Sequence, residues 1–508
     1  MKKKNGIKNI FYSFFGQFLI LLLGFLVPRI ILKSYGSDTN GLINTITQIF
    51  TYLALLEAGI AQATTNSLYK YLHEKKQNKK DISRVMTISQ RYFKNVSKIY
   101  ALLVVIFAFT LPFFLKTNLS YSTVSIYIFL EGIISVISFY YIQSWNALLL
   151  ADGKNYIVVN IDLLTKVLCY FVKILMALKG INIIYIQVGC LIVSLIKLFV
   201  YKKIVSSKYG WIEITDNYKN EKLENKSAYL ISEIAWTIFS STDMIILSIF
   251  CSTQYASVYS IYNMVFLAIS SLLNSVYNSL KYILGNAYFN KREEYATIHD
   301  LFNSTFFGIM TALMCVAFIF IIPFVKLYTE GINDINYVYS IFPLLFCLVQ
   351  MLSWSRYISG NLTAIAGYAK NTSYASILEA FINLSLSLLL VKHYGIIGVL
   401  IATVCALPFK VFYCNYLADK VILKRSCKNT IAILGINWII FFATVFLRNY
   451  IKININSFSM FILYGCILSL FYLILVIITN LLINKSMRLF INDNILSKLK
   501  GKINYGKK

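Results

Sequence analysis

The sequence predicts an all-α polytopic membrane protein with about fourteen transmembrane helices. Three observations predict it: an apolar composition, long apolar runs, and basic residues confined to alternate connections. Of 508 residues, 58% are hydrophobic and 14% charged, against roughly 45–50% and ~25% in soluble domains. Five prolines and 22 glycines exclude a collagen-like or linker-rich chain.

A helical span needs about 20 mostly apolar residues. Fourteen segments qualify: 10–32, 41–63, 99–115, 123–150, 156–178, 181–201, 228–250, 254–280, 302–328, 337–358, 372–391, 396–418, 431–447 and 458–482. The third and thirteenth are short. Only Lys179–Gly180 separates the fifth from the sixth, so these two could merge. The basic start, Met1–Lys8, leads into a run too long for a signal-peptide core, and no small-x-small site follows. It reads as an uncleaved first span.

The net charge is +27. With both termini placed in the cytoplasm, 35 of the 48 basic residues fall in inside segments and 6 in outside segments. Such a bias fixes orientation and supports the span count. It also excludes nucleic acid as a partner, because the basic residues are scattered over many short loops; they suit the anionic inner leaflet. No loop is long enough for a soluble catalytic domain. The mixed basic and apolar stretches around Lys70–Arg91 and Asn484–Lys508 are candidates for amphipathic helices on the inner surface.

Nine cysteines, most of them inside spans, form no CxxC pair, and His73, His299 and His393 stand isolated in loops. There is no metal constellation, no phosphate-binding loop and no nucleophile elbow. No cofactor, metal or catalytic residue is expected, and the chain does not read as an enzyme or an ATP-driven pump.

An internal repeat is visible. YGSDTNGLINTITQ, with Tyr35 and Gln48, matches the later FCSTQYASVYSIYN, with Phe250 and Asn263. FTLPFFLK with Pro112 matches FIIPFVKL with Pro323, and ADGKN at Lys154 matches GYAKN at Lys370. The three pairs keep one order and a nearly constant separation. Six spans per repeat is an even number, so the halves share one orientation and a pseudo-two-fold axis along the membrane normal. The expected organisation is a six-helix lobe at 1–201, a cytoplasmic linker at 202–227 and a second lobe at 228–418. Extra helices at 419–482 and a basic tail at 483–508 follow.

Ionisable groups at membrane depth are costly and face protein or water. Asp162 and Lys166 in span five are i,i+4 and can pair; Lys173, two turns further on, shares their face. This is either a self-neutralising pair with one snorkelling lysine or a cationic stripe along a water-filled cavity. An anionic substrate would need such a stripe. Span one carries Ser13, Gln17 and Gly24 on one stripe, then Pro28, which marks a bend, and Arg29, which could grip a phosphate bidentately. Asn44, Gln48 and Thr51 in span two, and Asn263, Ser270 and Asn274 in span eight, can join helices or bind sugar hydroxyls. Glu233 and Asp243 in span seven, with Asp162, are the candidates for ion coupling.

The opening N-x-x-Y-S-x-x-x-Q (Asn9, Tyr12, Ser13, Gln17), followed by LGFLVPRIIL and YGSDTNGL, resembles the start of Wzx-type polysaccharide flippases. The basic loop after span two and the stretch TDMIILSIF…YASVYSIYN resemble them too. These belong to the multidrug/oligosaccharidyl-lipid/polysaccharide exporter superfamily. The resemblance implies two six-helix lobes around a central cavity, plus two further helices. It implies movement of an undecaprenyl-diphosphate-linked oligosaccharide to the outer leaflet of a bacterial inner membrane, by alternating access coupled to a cation gradient. Its partners would be that lipid-linked oligosaccharide, membrane lipids, polysaccharide polymerase and glycosyltransferases. Arg29, Lys166, Lys173 and Arg356 carry over as cationic cavity residues by position and charge alone. A lipid II or teichoic-acid-type exporter and a drug/cation antiporter of the same superfamily are the alternatives. A membrane glycosyltransferase would need acidic motifs at the membrane boundary, where Asp38 and Asp334 stand isolated.

Overall fold

Within lipid a backbone can satisfy its polar groups only by hydrogen-bonding within its own segment or by closing a barrel. The computed structural model is accordingly helical, with no strand among the described residues. It describes residues 2–57, 60–72, 79–214, 242–450, 455, 457–484 and 487–488, with side chains from 19 onward except 56, 62, 69, 70, 155, 275, 278–280, 282 and 449. Glu233, the Gln17 side chain, residues 215–227 of the expected linker and nearly all of the tail lie outside these residues.

The helices are α1 (Lys2–Ala54), α2 (Ile60–Leu72), α3 (Lys79–Phe114), α4 (Tyr121–Tyr141), α5 (Gln143–Ala151), α6 (Asn155–Leu178), α7 (Ile183–Tyr209) and α8 (242–250). There follow α9 (Thr253–Asn290), α10 (Tyr295–Tyr328), α11 (Phe342–Trp354), α12 (Tyr357–Ile365), α13 (Ala369–Tyr416), α14 (Lys428–Leu447) and α15 (Phe458–Ile483). Nine helical segments among the described residues are long and apolar enough to cross a membrane. Two of them hold two spans each. Gly36, at φ 82, divides α1, and Gly395, at φ 54, divides α13. Both conformations favour glycine because it has no Cβ. Spans five and six do not merge: Gly180, at φ 65, turns the chain between α6 and α7. α1 continues through Pro28, and its non-helical break comes at Gly36. Phe113, Phe412 and Phe446 are largely exposed, which suits contact with lipid tails.

The chain divides into two compact units: Met1–Val258 with Gly331–Ile335, and Tyr259–Glu330 with Asn336–Lys508. The same interruptions recur in sequence in both halves. α4 gives way to α5 at Ile142, and α11 to α12 at Ser355–Arg356. Gly153, between α5 and α6, and Gly367, between α12 and α13, both have positive φ, and so do Gly180 and Gly395. Pro112 and Pro323 both lie inside long helices.

In the first unit, the early turns of α3 pack one face into a core. Val85, Met86, Ile88 and Phe93 are buried in a core with Leu68, Leu148 and Tyr201. At the opposite end, Asp334 accepts hydrogen bonds from Ser37 N (2.6 Å) and Oγ (2.7 Å). Asp38 accepts from Thr117 Oγ1 and Asn118 N, both at 2.8 Å, and from Thr253 Oγ1. Asp38 and Asp334 therefore hold turns and helix ends together.

In the second unit, Phe266 and Phe346 stack at 5.3 Å and join Tyr262 and Phe342 in one aromatic core. The last two helices pack on α10: Gly308 admits Val476, Thr444 Oγ1 reaches Cys315 Sγ at 3.4 Å, and Asn437 Nδ2 donates to Asn480 Oδ1 at 3.2 Å. His299 is not in a loop but fully buried in α10, and His393 lies in α13. Beside His299, Arg425 ties Asp300 (2.5 Å) to Asp419 (2.8 Å). Burial opposes the Arg425 charge, but these carboxylates outweigh it and hold the guanidinium above its ordinary value.

Candidate functional site: a cationic cavity in the first unit

The first unit encloses a cavity of about 580 Å³ walled by α1, α4, α6 and α7. That size is typical of small-ligand sites, ~300–1,000 Å³. Helical periodicity explains the lining. From α6 come Thr165, Lys166, Cys169, Tyr170 and Lys173; from α1 come Gly24, Val27, Pro28 and Ile31, then Asn40, Ile43, Asn44 and Thr47. Each set follows the i, i+3, i+4 rule for one helical face.

Asp162 does not pair with Lys166. Its Oδ1 lies 2.7 Å from Lys197 Nζ of α7. The i,i+4 neighbour loses because α6 packs against α7 and brings a second lysine nearer. Lys166 and Lys173 are left on the cavity wall with no hydrogen bond or ion pair to any described residue. Lys197 lines the same cavity. Its ammonium also sits 5.9 Å from the Tyr201 ring centroid.

Glu131 of α4 is the only acidic residue of the described lining, and Gln187 of α7 donates to its Oε2. The lining carries three lysines against one carboxylate, with Asp162 just behind. Amides and hydroxyls fill the rest: Asn40, Asn44, Thr47, Ser135, Ser138, Thr165, Tyr170 and Ser194. Asn44 Nδ2 donates to the Asn40 carbonyl at 2.8 Å, while Asn40 Nδ2 donates to Ser257 Oγ at 2.8 Å. Such a wall can neutralise an anion and offer hydrogen bonds to a polyhydroxyl group.

The predicted site residues do not all meet here. Lys166, Lys173 and Asn44 line the cavity. Arg29 is half-buried in α1 but outside the lining, because one residue past Pro28 rotates it about 100° away. Gln48 is also half-buried outside it. Asp243 is buried in α8 away from the lining. Asn263, half-buried, and Asn274, exposed, belong to α9 of the second unit. Arg356 lies in that unit too, buried with its Nη1 2.5 Å from Glu379 Oε1. Sequence reasoning missed Lys197, Glu131 and Gln187 as lining residues. The sequence held one signal for Lys197, a lysine inside a span, which at membrane depth faces protein or water.

The fold has known counterparts. A lipid II flippase, MurJ, in an inward closed conformation is similar over 91% of this chain and 98% of its own, with TM-score 0.69 and 16% identity. An inward-facing multidrug resistance MATE family transporter of the MOP superfamily matches 80% of this chain and 96% of its own, with TM-score 0.65 and 13% identity. A MATE multidrug transporter, DinF-BH in complex with R6G, matches 82% and 95%, with TM-score 0.56 and 16% identity. No protein-family model and no curated protein matches the chain. The chain thus has the fold of the superfamily's transporters and flippases, a multi-pass membrane fold.

Proposed function

We propose that this protein is a flippase for a diphosphate-linked lipid oligosaccharide, carried from the cytoplasmic to the outer leaflet for surface polysaccharide synthesis. The observation that carries the reading is the pair Lys166 and Lys173, which line a cavity without an ionic partner among the described residues. A diphosphate cannot enter hydrocarbon without losing its hydration, and cations placed in advance offset that cost. With Asp162 paired to Lys197 and Glu131 in the wall, the three lysines leave a surplus of one positive charge, and a diphosphate diester is an anion. The surrounding amides and hydroxyls suit sugar. The likeness to a lipid II flippase supports the same class of cargo.

The drug/cation antiporter reading is disfavoured by the same wall, where a single carboxylate faces three lysines. The test uses proteoliposomes. A fluorescent polyprenyl-diphosphate disaccharide is expected to become accessible in the opposite leaflet, and a rhodamine-type cation is expected not to move. Cation transport without movement of the diphosphate lipid would overturn the proposal. Repeating the assay with lipid II and with a teichoic-acid-type precursor would identify the sugar class.

A further inference from the structure

In the second unit one buried carboxylate serves two cations. Glu379 of α13 lies 2.5 Å from Arg356 Nη1 and 3.4 Å from Lys410 Nζ. Side-chain exposure is 3% for Glu379, 7% for Arg356 and 17% for Lys410. The cluster therefore holds one positive charge more than it neutralises. Among the described residues no second acid balances it. The charged or titratable neighbours of Lys410 are Arg356 at the α11–α12 junction, Glu379 on the facing half of α13, and Cys414 on its own helix. Tyr357 flanks Arg356 and Glu379.

The first unit supplies the contrast. There Lys197 meets Asp162 at 2.7 Å, one cation to one carboxylate. The two cations on Glu379 also differ in kind. Arg356 makes the short contact, and a guanidinium does not release its proton in a protein. Lys410 makes the longer contact, and an ammonium, unlike a guanidinium, can shed a proton.

We propose that Lys410 is a proton-binding site of this protein. Its N–H bond breaks with the electron pair left on Nζ, the proton passes to water, and the Arg356–Glu379 pair remains as a neutral unit. The reverse step restores the ammonium. The use of this proton in transport rests on the proposed function; the site itself does not.

Two variants separate a proton site from an ordinary ion pair. Lys410→Arg keeps the charge and cannot shed it, while Lys410→Gln fixes the neutral form. In acid–base titration of the purified full chain in detergent, wild type is expected to release about one proton more than either variant, below the ordinary lysine range near ~10.4. Lys410→Gln is expected to keep wild-type thermal stability, because Arg356 still holds Glu379. In proteoliposomes with an entrapped pH dye and a short-chain polyprenyl diphosphate as probe, both variants are expected to move protons at least tenfold more slowly. Probe binding should be unchanged. Proton release by Lys410→Arg equal to wild type, or a Lys410→Gln that fails to fold while Lys410→Arg folds, would overturn the proposal. A titration difference without probe-driven proton movement would leave the site standing and sink its use in transport.

Discussion

Asp162 shows how one contact changes the meaning of its neighbours. Held by Lys197 at 2.7 Å, it leaves Lys166 as a cation the cavity does not neutralise directly. Lys166→Ala is therefore a clean probe of binding and strands no acid. Asp162→Asn gives the opposite sign. It removes the carboxylate that restrains Lys197, itself a lining residue, so anion affinity is expected to rise several-fold. The pair is only partly buried, with 40% exposure of the Asp162 side chain, and such pairs contribute about 1 kcal/mol or less. Microscale titration with a polyprenyl diphosphate would read it. A loss of binding would instead mark Asp162 as a functional ionisable group in its own right.

At the scale of elements, the helices are set by where glycine permits close approach or reversal. A Cβ on Gly41 would overlap the Thr253 carbonyl oxygen, and that backbone atom cannot move aside as a side chain could. At Gly395, φ 54 with ψ −128 strains any L residue. Gly24 has nothing within 4 Å of its missing Cβ. Gly41→Ala and Gly395→Ala are each expected to cost about 1–3 kcal/mol, seen as a lower thermal midpoint in detergent, with Gly24→Ala unchanged. Equal midpoints for all three would show that these close approaches are not required.

Much of this level was legible in the sequence. The apolar runs located the spans, and the Pro112/Pro323 and ADGKN/GYAKN matches fall on elements that recur in the structure. Side-chain partners were less legible. Sequence spacing favours the i,i+4 neighbour, whereas Asp162 found its cation on another helix, and no spacing reveals that. Arg29 followed the same logic: its charge was visible, but its direction depends on a rotation fixed by packing. The break at Ile142, which separates α4 from α5, has no glycine or proline to announce it.

For the whole molecule, the charge asymmetry of 35 inside to 6 outside leads to a topology proposal with both termini cytoplasmic. Reporter fusions after Lys80, Lys219 and Lys508 are all expected to report cytoplasm; an external signal at any one would break it. The recurrent interruptions, Gly153 with Gly367 and Gly180 with Gly395, lead to a second proposal. Residues 1–201 and 228–418 should superpose by rotation about the membrane normal, and an experimental structure giving an inverted relation would refute it.

The central claim is that the cavity of the first unit holds a lipid diphosphate through Lys166 and Lys173. The most direct measurement is the affinity of purified protein for a short-chain polyprenyl diphosphate, compared between wild type and the Lys166→Ala/Lys173→Ala double variant at matched fold and abundance. One charge-assisted contact contributes about 1.5–3 kcal/mol, or roughly ten- to a hundred-fold in affinity. The account predicts that the double variant binds at least a hundredfold more weakly, while Lys326→Ala, at the end of α10 in the second unit, binds as wild type does. Wild-type affinity in the double variant would contradict it.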